Sequence, residues 1–566
     1  MKYFDIKRVF AFVMLLTAAA CATVVPPAGG PVDTTPPVPL LFKPHNKITN
    51  YSGEKITIKF DEYVQLKDLN SQLVISPAMP DDPDIYIQGK KLVIVPPDSL
   101  TPNTTYTIFL GNAVVNYKEG LPVKHFQYVL STGENLDSLR ITGKVKNAFD
   151  LKTEDGILVM LYKNASDSTP YLQRPYYIAK TYSDGGFLLD NLSEGKYLIF
   201  ALKDLNSNYI YDQPAEEIAF LDSLLIPAPP KTADDSLNLI KPVKVDMYLF
   251  KEVEKNQGIK GKKLRSEHLV ELYFKKPVTA LGVEALNFDA PAEWNYPVFN
   301  KNRDSLKLWL TAKMPDTVLI KISDDLQVVD TLRLVLRKPK KQIKNNRRRQ
   351  PKVETVSKPK PPVRISVKTN TGAGIDFFGK PALVFNTPVK YFDRQKIKLY
   401  RQIDTVYKPV SFSMFFDDSI AAERLYFDVK LEEESSYKIF IPDSVFFDIF
   451  GNTNDTIEAR FGTTRQRNYG SLKLKVVYND SIPLLIQLLN DKDGVLRQDL
   501  LTDSIVYYRW LKPGKYKIKA VKDRNGNGKW DTGNYLEGVL PERVFFMSSP
   551  VNIRANWDIE HKWIIE

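Results

Sequence analysis

The feature that most constrains the fold is an alternation of apolar and polar residues with a period of two. It is clear at 55–60 (KITIKF), 91–95 (KLVIV), 105–110 (TYTIFL) and 472–476 (LKLKV). Such alternation places one face of a strand in a core and the other in water, as antiparallel sheets do. Because 566 residues exceed the roughly 250–300 residues of a single core, several domains are expected. The sequence therefore predicts an all-β protein built from tandem antiparallel β-sandwiches.

Two segments far apart in the chain share one pattern. A tyrosine-bearing strand leads to a turn rich in Asp, Asn or Gly, and then to a closing strand that ends in threonine. The landmarks are Tyr106, the turn at 116–120 and Thr132 in the first copy, and Tyr437, the turn at 448–452 and Thr463 in the second. The pattern resembles the bacterial Ig-like domain of surface-layer proteins, whose entry is similar to the DTTPP sequence at 33–37. The resemblance implies Ig-like sandwiches at 38–135 and 363–465.

A second repeat follows each of these segments. The sequence GKY at 195–197 and at 514–516 follows a turn and opens an apolar strand. This pattern is similar to the transthyretin-like, carboxypeptidase-regulatory type of sandwich, and the resemblance implies such modules at 136–239 and 466–566. Residues 240–337 carry further strand patterns and are predicted to form a separate β-rich domain.

Both repeats of the second kind end in a loop rich in Asp and Asn. Oxygen-bearing side chains recur at loop positions 1, 3, 5 and 9, the order that an EF-hand uses for a hard cation such as Ca²⁺. The candidate ligands are Asp523, Asn525, Asn527 and Asp531 in the second loop, and Asp204, Asn206, Asn208 and Asp212 in the first. The alternative is a turn without metal, in which these side chains bond their own backbone.

The two loops differ from an EF-hand in particular positions. Gly528 occupies the sixth position of the second loop, where a tight turn is needed, whereas the first loop has Tyr209 there. Position 12 of the second loop is Asn534 instead of a bidentate glutamate, so Glu537 is the candidate replacement. In the first loop Glu216 and Glu217 lie downstream and are the corresponding candidates.

The only cysteine, Cys21, follows a basic segment and a short apolar stretch at 9–19. That stretch is too short to span a bilayer, which needs about 20 apolar residues. The AAAC sequence at 18–21 resembles the lipobox of bacterial lipoproteins, which implies cleavage of a signal peptide at 1–20 and acylation of Cys21. Residues 21–37 then form a flexible tether rich in Pro and Gly. The alternative is an ordinary signal peptide with an incidental cysteine.

The whole chain resembles Ig-like outer-membrane lipoproteins of the Bacteroidota. No Asp follows Cys21, which by this resemblance favours sorting to the outer membrane. The tether also lacks an acidic run, which favours the periplasmic face over the cell surface. The implied partners are the membrane, through the lipid anchor, and envelope proteins or a cell-wall or glycan polymer.

The positive charge is concentrated in one segment. The chain has a net charge of +12, and residues 337–362 hold eleven basic residues against Glu354. With its five prolines this segment is predicted to be an extended linker at 338–362, with contact to an anionic polymer as the alternative. Nucleic acid is not expected as a partner, because the segment lacks interleaved aromatic residues and the lipoprotein resemblance implies export.

The sequence contains no catalytic motif. GxSxG, Walker, GxGxxG and HExxH patterns are absent, and the four histidines are scattered. The predicted function is therefore that of a non-enzymatic scaffold or adhesion and interaction module. The alternative is a carbohydrate-binding accessory of a glycan-uptake system, for which Tyr171, Tyr176 and Tyr177 are candidate exposed aromatic residues.

Overall fold

The structure, a computed structural model, describes residues 33–163, 166, 168–213, 215–230, 243–336, 364–372, 374–417 and 423–565. It divides into two compact units, of which the first ends at Lys251 and the second begins at Glu252. Within the described ranges there are two α-helices, α1 (Leu69–Gln72) and α2 (Thr169–Leu172), and neither is long enough to cross a membrane. The predicted all-β architecture of tandem sandwiches is confirmed.

The first module opens the first unit. Its strands are β1 (Pro39–Lys43), β2 (Ile56–Phe60), β3 (Val64–Leu66), β4 (Val74–Ser76), β5 (Asp84–Gln88), β6 (Lys91–Val95), β7 (Thr105–Gly111), β8 (Val114–Asn116) and β9 (Phe126–Ser131). They form sheets in the orders β1-β2-β6-β5, β4-β7-β9 and β3-β8. The alternation that the sequence shows is visible in β2, where Ile56, Ile58 and Phe60 are buried and Lys59 is exposed.

The second module completes the first unit. Its strands are β10 (Leu139–Asn147), β11 (Leu158–Tyr162), β12 (Tyr177–Lys180), β13 (Gly186–Leu192), β14 (Leu198–Lys203), β15 (Glu217–Phe220) and β16 (Lys244–Leu249). Two sheets, β13-β10-β16 and β12-β11-β14-β15, enclose one core.

The end of the second module differs from the sequence-based boundary at residue 239. Strand β16 pairs in parallel with β10, from Thr142 opposite Lys244 to Asn147 opposite Leu249. Its alternate residues Val245, Met247 and Leu249 are buried in the core of this sandwich. The strand at 244–249 therefore belongs to the second module, because its apolar face completes that core.

The third module begins the second unit. Its strands are β17 (Ile259–Ser266), β18 (Leu269–Phe274), β19 (Leu281–Ala285), β20 (Asn295–Phe299), β21 (Ser305–Leu310), β22 (Thr317–Asp324) and β23 (Gln327–Val335). They form the sheets β17-β18-β21-β20 and β19-β22-β23. Alternate residues of β18 and β22, such as Leu272 and Ile320, are fully buried in the shared core.

The fourth module follows. Its strands are β24 (Arg364–Ile365), β25 (Val367–Thr369), β26 (Gly374–Ile375), β27 (Ala382–Phe385), β28 (Val389–Phe392), β29 (Lys398–Ile403), β30 (Val406–Pro409), β31 (Ser413–Phe416), β32 (Arg424–Asp428), β33 (Ser436–Ile441), β34 (Phe446–Asp448), β35 (Thr453–Asn454) and β36 (Ile457–Thr463). The sheets run β24-β35-β34-β28, β25-β27-β32-β31 and β26-β36-β33-β29-β30. A 3-10 turn at Arg394–Lys396 precedes β29.

The fifth module follows a 3-10 turn at Gln466–Asn468. Its strands are β37 (Gly470–Tyr478), β38 (Leu484–Leu489), β39 (Val495–Leu500), β40 (Ile505–Leu511), β41 (Gly514–Lys522), β42 (Val544–Phe546), β43 (Val551–Ile553) and β44 (Asp558–Ile565). Its sheets, β40-β37-β44 and β39-β38-β41-β42, repeat the strand orders of the second module, including one parallel pair. The short strand β43 pairs with β41.

The first and fourth modules repeat one set of hydrogen bonds around a buried tyrosine. The Tyr106 hydroxyl accepts a hydrogen bond from the Thr101 backbone N–H at 3.0 Å, and Thr132 Oγ1 donates to the Thr101 carbonyl at 2.7 Å. In the fourth module Tyr437 accepts from the Glu432 N–H at 2.8 Å, and Thr463 donates to the Glu432 carbonyl at 2.6 Å. The tyrosines and threonines that recur in the sequence therefore satisfy the same backbone groups beside each core.

Candidate cation loops and contacts between modules

The second Asp- and Asn-rich loop begins where β41 ends. Asp523 is fully buried, and its backbone N–H donates to the Pro483 carbonyl at 3.0 Å, which fixes the start of the loop. Gly526 and Gly528 have φ angles of 70° and 71°, in the left-handed region that glycine adopts at no steric cost. The two glycines therefore allow the chain to turn tightly around the Asp523 carboxylate.

The candidate ligands of this loop lie together and bond to one another. The Asp523 carboxylate accepts from the N–H groups of Asn527 at 3.1 Å and Gly528 at 2.8 Å. The Nδ2 atoms of Asn525 and Asn527 both donate to Asp531 Oδ2, at 2.6 and 2.7 Å. The structure thus brings all four residues predicted from the sequence into one hydrogen-bonded cluster.

A glutamate that the sequence interpretation missed closes the cluster. Glu542 is 4% exposed, and its carboxylate accepts from the N–H of Arg524 at 2.7 Å and the N–H of Asp531 at 3.1 Å. Burial raises the pKa of Glu542, and the nearby charges of Asp531 and Asp523 act in the same direction. Glu537, the residue chosen from the sequence, is exposed, and its N–H donates to Asn534 Oδ1 at 3.4 Å.

The first loop has the same arrangement. The Asp204 carboxylate accepts from the N–H groups of Ser207 at 2.7 Å and Tyr209 at 2.8 Å. Asp212 accepts from Asn206 Nδ2 at 3.2 Å and from Asn208 Nδ2 at 2.7 Å. Tyr209 takes the place of Gly528 with a φ angle of 64°, so this loop keeps the turn although its residue is less suited to it.

Glu216 occupies the place of Glu542 in the first loop. It is fully buried and accepts from the N–H of Leu205 at 3.1 Å and the N–H of Asp212 at 3.1 Å. The sequence signal shared by the two glutamates is their position two residues before a buried β-branched residue in the next strand, Ile218 of β15 or Val544 of β42. Alignment on that strand identifies Glu542, whereas counting twelve positions does not.

In both loops the oxygen atoms that could bind a cation belong to Asn as well as to Asp side chains. Among the described residues, no group of three or more His, Cys, Asp or Glu side chains is placed to hold a metal ion. A cation at the second loop would be held by Asp523, Asp531 and the amide oxygens of Asn525 and Asn527, after both amides rotate to exchange nitrogen for oxygen. The donor set fits Ca²⁺ in chemical type, and the existing bonds also complete a metal-free turn.

Several residues singled out in the sequence either lie outside the described residues or are buried. Cys21 and the basic segment 337–362 lie outside the described residues. Tyr177 is 3% exposed and belongs to the core of the second module, so its proposed role in an exposed carbohydrate platform is wrong. Tyr176 is half-buried, and Lys163 Nζ lies 3.6 Å from its ring centroid.

The two modules of the first unit are fastened by side-chain contacts. Ser76 Oγ accepts from the Ile178 backbone N–H at 2.9 Å, and Asn191 Nδ2 donates to Thr107 Oγ1 at 3.0 Å. A crevice of about 250 Å³ at this joint contains Lys180, whose pKa is lowered by burial. The first module therefore covers strand β12 of the second.

The fourth and fifth modules meet at an aromatic joint. The ring of Tyr469 lies 6.0 Å from that of Phe377 and 5.2 Å from that of Phe378, and Trp510 packs on both phenylalanines. The Tyr469 hydroxyl donates to Asp376 Oδ1 at 2.6 Å. Burial and the hydrogen bond to Asp376 raise the pKa of Tyr469 to about 12, so the hydroxyl keeps its proton to a higher pH than an ordinary tyrosine does.

A second cavity lies between the third and fourth modules. It measures about 310 Å³ and is lined by Glu271, Tyr273, Phe299, Lys307 and Glu423. Lys307 Nζ lies 2.6 Å from Glu423 Oε2, so two of the charged groups that line the cavity form an ion pair with each other. This arrangement fastens two modules and provides no paired nucleophile and base.

Comparison with known proteins supports the Ig-like resemblance for the first module. Residues 33–130 match the family model described as a bacterial Ig-like domain. No curated protein matches the chain.

The chain is also similar to several solved structures at low identity. The Bacillus anthracis TIE protein has 11% identity over 99% of this chain and 79% of that protein, with a TM-score of 0.14. BcpA, the major pilin subunit of Bacillus cereus, has 10% identity over 75% of this chain and 99% of that protein, also with a TM-score of 0.14. The S-layer protein rSbsC(31-844) has 10% identity over 89% and 66%, with a TM-score of 0.13. These scores are too low to carry a functional argument.

Proposed function

We propose that this protein is a non-enzymatic scaffold or interaction protein of the cell envelope, anchored by lipid at Cys21. The observation that carries the proposal is the fastening of neighbouring sandwiches by side-chain contacts, such as Ile178 with Ser76 and Tyr469 with Asp376. Contacts of this kind resist bending between neighbours, which suits a protein that keeps a fixed spacing. The bacterial Ig-like match at 33–130 supports the same role.

The lipid anchor is tested by replacement of the acylated residue. Cys21→Ala abolishes labelling with a radioactive fatty acid and moves the full-length chain from the membrane fraction to the soluble fraction. Thr23→Ala, two residues further on, is the matched control and stays labelled. Continued labelling of the Cys21 variant contradicts the anchor.

The location and the partner need separate measurements. The periplasmic face of the outer membrane is the proposed location, so protease added to intact cells leaves the chain whole, and its degradation contradicts this orientation. Crosslinking in intact envelopes followed by capture of the chain is expected to yield an envelope protein or a wall or glycan polymer. A purified chain that hydrolyses a substrate would overturn the non-enzymatic role.

Calcium at the two loops belongs to the same proposal as a stiffening element. Its support is the repetition of four oxygen-bearing residues and one buried glutamate around each turn, in the second and the fifth module. Each loop connects a central strand of its sheet to the neighbouring edge strand, β14 to β15 or β41 to β42, so a bound cation would restrain this end of the module. No catalytic role is assigned to the ion.

A further inference from the structure

The fourth module has a sheet face that combines tyrosines with cations. Its five-stranded sheet buries alternate residues such as Tyr437, Ile439 and Ile441 of β33. The intervening residues point outward, together with those opposite them on β29, β30 and β36. The charged and aromatic residues among them are here called the tyrosine face: Lys398, Tyr400, Tyr407, Lys438, Phe440, Glu458 and Arg460.

Two cations stand directly opposite each other on this face. Lys438 pairs with Arg460 across β33 and β36, and like charges in such positions destabilise a sheet. Lys438 Nζ lies 4.8 Å from the ring centroid of Tyr407 and 5.4 Å from that of Tyr400, and the Arg460 guanidinium lies 6.0 Å from Tyr407. The attraction between the rings and the two cations therefore offsets part of the repulsion between Lys438 and Arg460.

The face keeps an excess of positive charge. Glu458 accepts from Arg460 Nε at 3.0 Å and Nη2 at 2.7 Å, and this contact lowers the pKa of Glu458, so the carboxylate stays charged. It offsets one of three cations. The Arg460 side chain nevertheless remains 66% exposed, so its charge is available to a ligand.

The same face of the first module is used differently. When the two modules are aligned on Tyr106 and Tyr437, Thr107 corresponds to Lys438. Ser76, which pairs with Thr107, then corresponds to Tyr400, which pairs with Lys438. Ser76 and Thr107 are the small residues that bond to the second module at Ile178 and Asn191. The neighbouring sandwich therefore covers this face in the first unit, whereas in the fourth module the equivalent positions carry large residues and the face meets solvent.

We propose that the tyrosine face binds an acidic polysaccharide, a polymer whose sugar rings carry carboxylates. The excess positive charge selects an anionic partner, and Lys438 and Arg460 are placed to pair with its carboxylates. Tyr400 and Tyr407 add flat apolar surface and hydroxyl groups, which suit a sugar ring. An extended face of four adjacent strands suits a polymer better than a small molecule, which needs a concave site. This site goes beyond the scaffold role and gives the glycan-binding alternative a location.

The test compares binding of full-length variants to immobilised polygalacturonate. Lys438→Thr with Arg460→Val introduces the residues that the first module has at these positions, Thr107 and Val129, so the sheet is expected to keep its fold. Lys408→Thr with Lys430→Thr removes the same charge from exposed positions away from the face. All proteins are also made with the basic residues of 337–362 replaced by glutamine, so that attraction of a polyanion to that positively charged segment does not contribute to the measured binding.

The expected result is about tenfold weaker binding for the first double variant at low salt and little change for the control. Tyr400→Ser with Tyr407→Thr is expected to weaken binding to polygalacturonate more than residual binding to polyphosphate, because both ligands use the cations beside the rings but only a sugar uses the rings themselves. If the control variant, Lys408→Thr with Lys430→Thr, loses as much binding as Lys438→Thr with Arg460→Val, the site is overturned. Unchanged binding in the tyrosine variant, or equally tight binding of polyphosphate, overturns the polysaccharide. None of these outcomes depends on the lipid anchor or the scaffold role.

Discussion

Replacement of Glu542 by alanine is expected to open the loop of the fifth module locally. The carboxylate is 4% exposed and satisfies two backbone N–H groups, of Arg524 and Asp531. Each buried N–H left without an acceptor costs about 1–3 kcal/mol, so the change is expected to cost about 2–4 kcal/mol after partial access of water. That free energy corresponds to a fall in hydrogen-exchange protection of about 30- to 700-fold.

The assay is amide hydrogen exchange of the full-length chain, read on peptides from 514–546. A local measurement is needed because a chain of several modules has no single unfolding free energy. Glu537→Ala is the matched control: this glutamate is exposed and was the residue chosen by counting loop positions. Equal protection in the two variants would refute the role given to Glu542.

The pH dependence of the same loop has a definite sign. Burial raises the pKa of Glu542, so without a cation the folded state binds this proton more tightly than the unfolded chain. The stability contributed by the protonated form is full below the ordinary glutamate pKa and is lost as the pH rises through the raised value. Protection of 523–546 in EDTA is therefore expected to increase on acidification from neutral pH towards the ordinary glutamate pKa, and Glu542→Gln is expected to remove this dependence.

Three further changes test other parts of the structure. Calcium in place of EDTA is expected to raise protection of 523–531, and Asp523→Ala is expected to abolish that increase; absence of an increase in the natural chain rejects the cation. Gly143→Val is expected to disrupt the second module by more than about 2 kcal/mol, because a Cβ at Gly143 would lie 1.9 Å from the Val245 carbonyl oxygen, and unchanged exchange in β10 and β16 would show that the strands can separate. Tyr437→Phe leaves the partly buried N–H of Glu432 without its acceptor and is expected to lower the free energy of opening of β33 by about 0.5–1.5 kcal/mol, whereas Tyr407→Phe on the surface is expected to lower it by less than a third of that.

The sequence predicted the strands well because their signal is local. Alternation such as that at 56–60 reports which side chains face a core, and in the structure Ile56, Ile58 and Phe60 do so. The tyrosine and threonine landmarks were equally informative, because Tyr106 and Tyr437 each bond a backbone group five residues earlier. Local patterns were sufficient wherever the partner is near in sequence.

Partners distant in sequence were the ones that the sequence could not identify. Strand β16 joins the second module by pairing with β10, about a hundred residues earlier, and its own alternation does not say which core it completes. Glu542 lies further along the chain from the start of its loop at Asp523 than Glu216 lies from Asp204. Counting a fixed number of positions from the start of the loop therefore did not identify Glu542. Tyr177 was placed on the surface because an aromatic residue in a strand has no local sign of which face is buried.

The tyrosine face shows how one sandwich can serve two purposes in a single chain. Small residues at Ser76 and Thr107 let a neighbouring module approach closely enough for hydrogen bonds of 2.9 and 3.0 Å. Tyr400 and Lys438 at the equivalent register positions are too large for the same approach, and the Lys438–Arg460 pair would be costly to bury without an anion. The side chains on one face therefore decide whether that face joins two modules or stays free for a ligand, while the buried face that specifies the fold is unchanged.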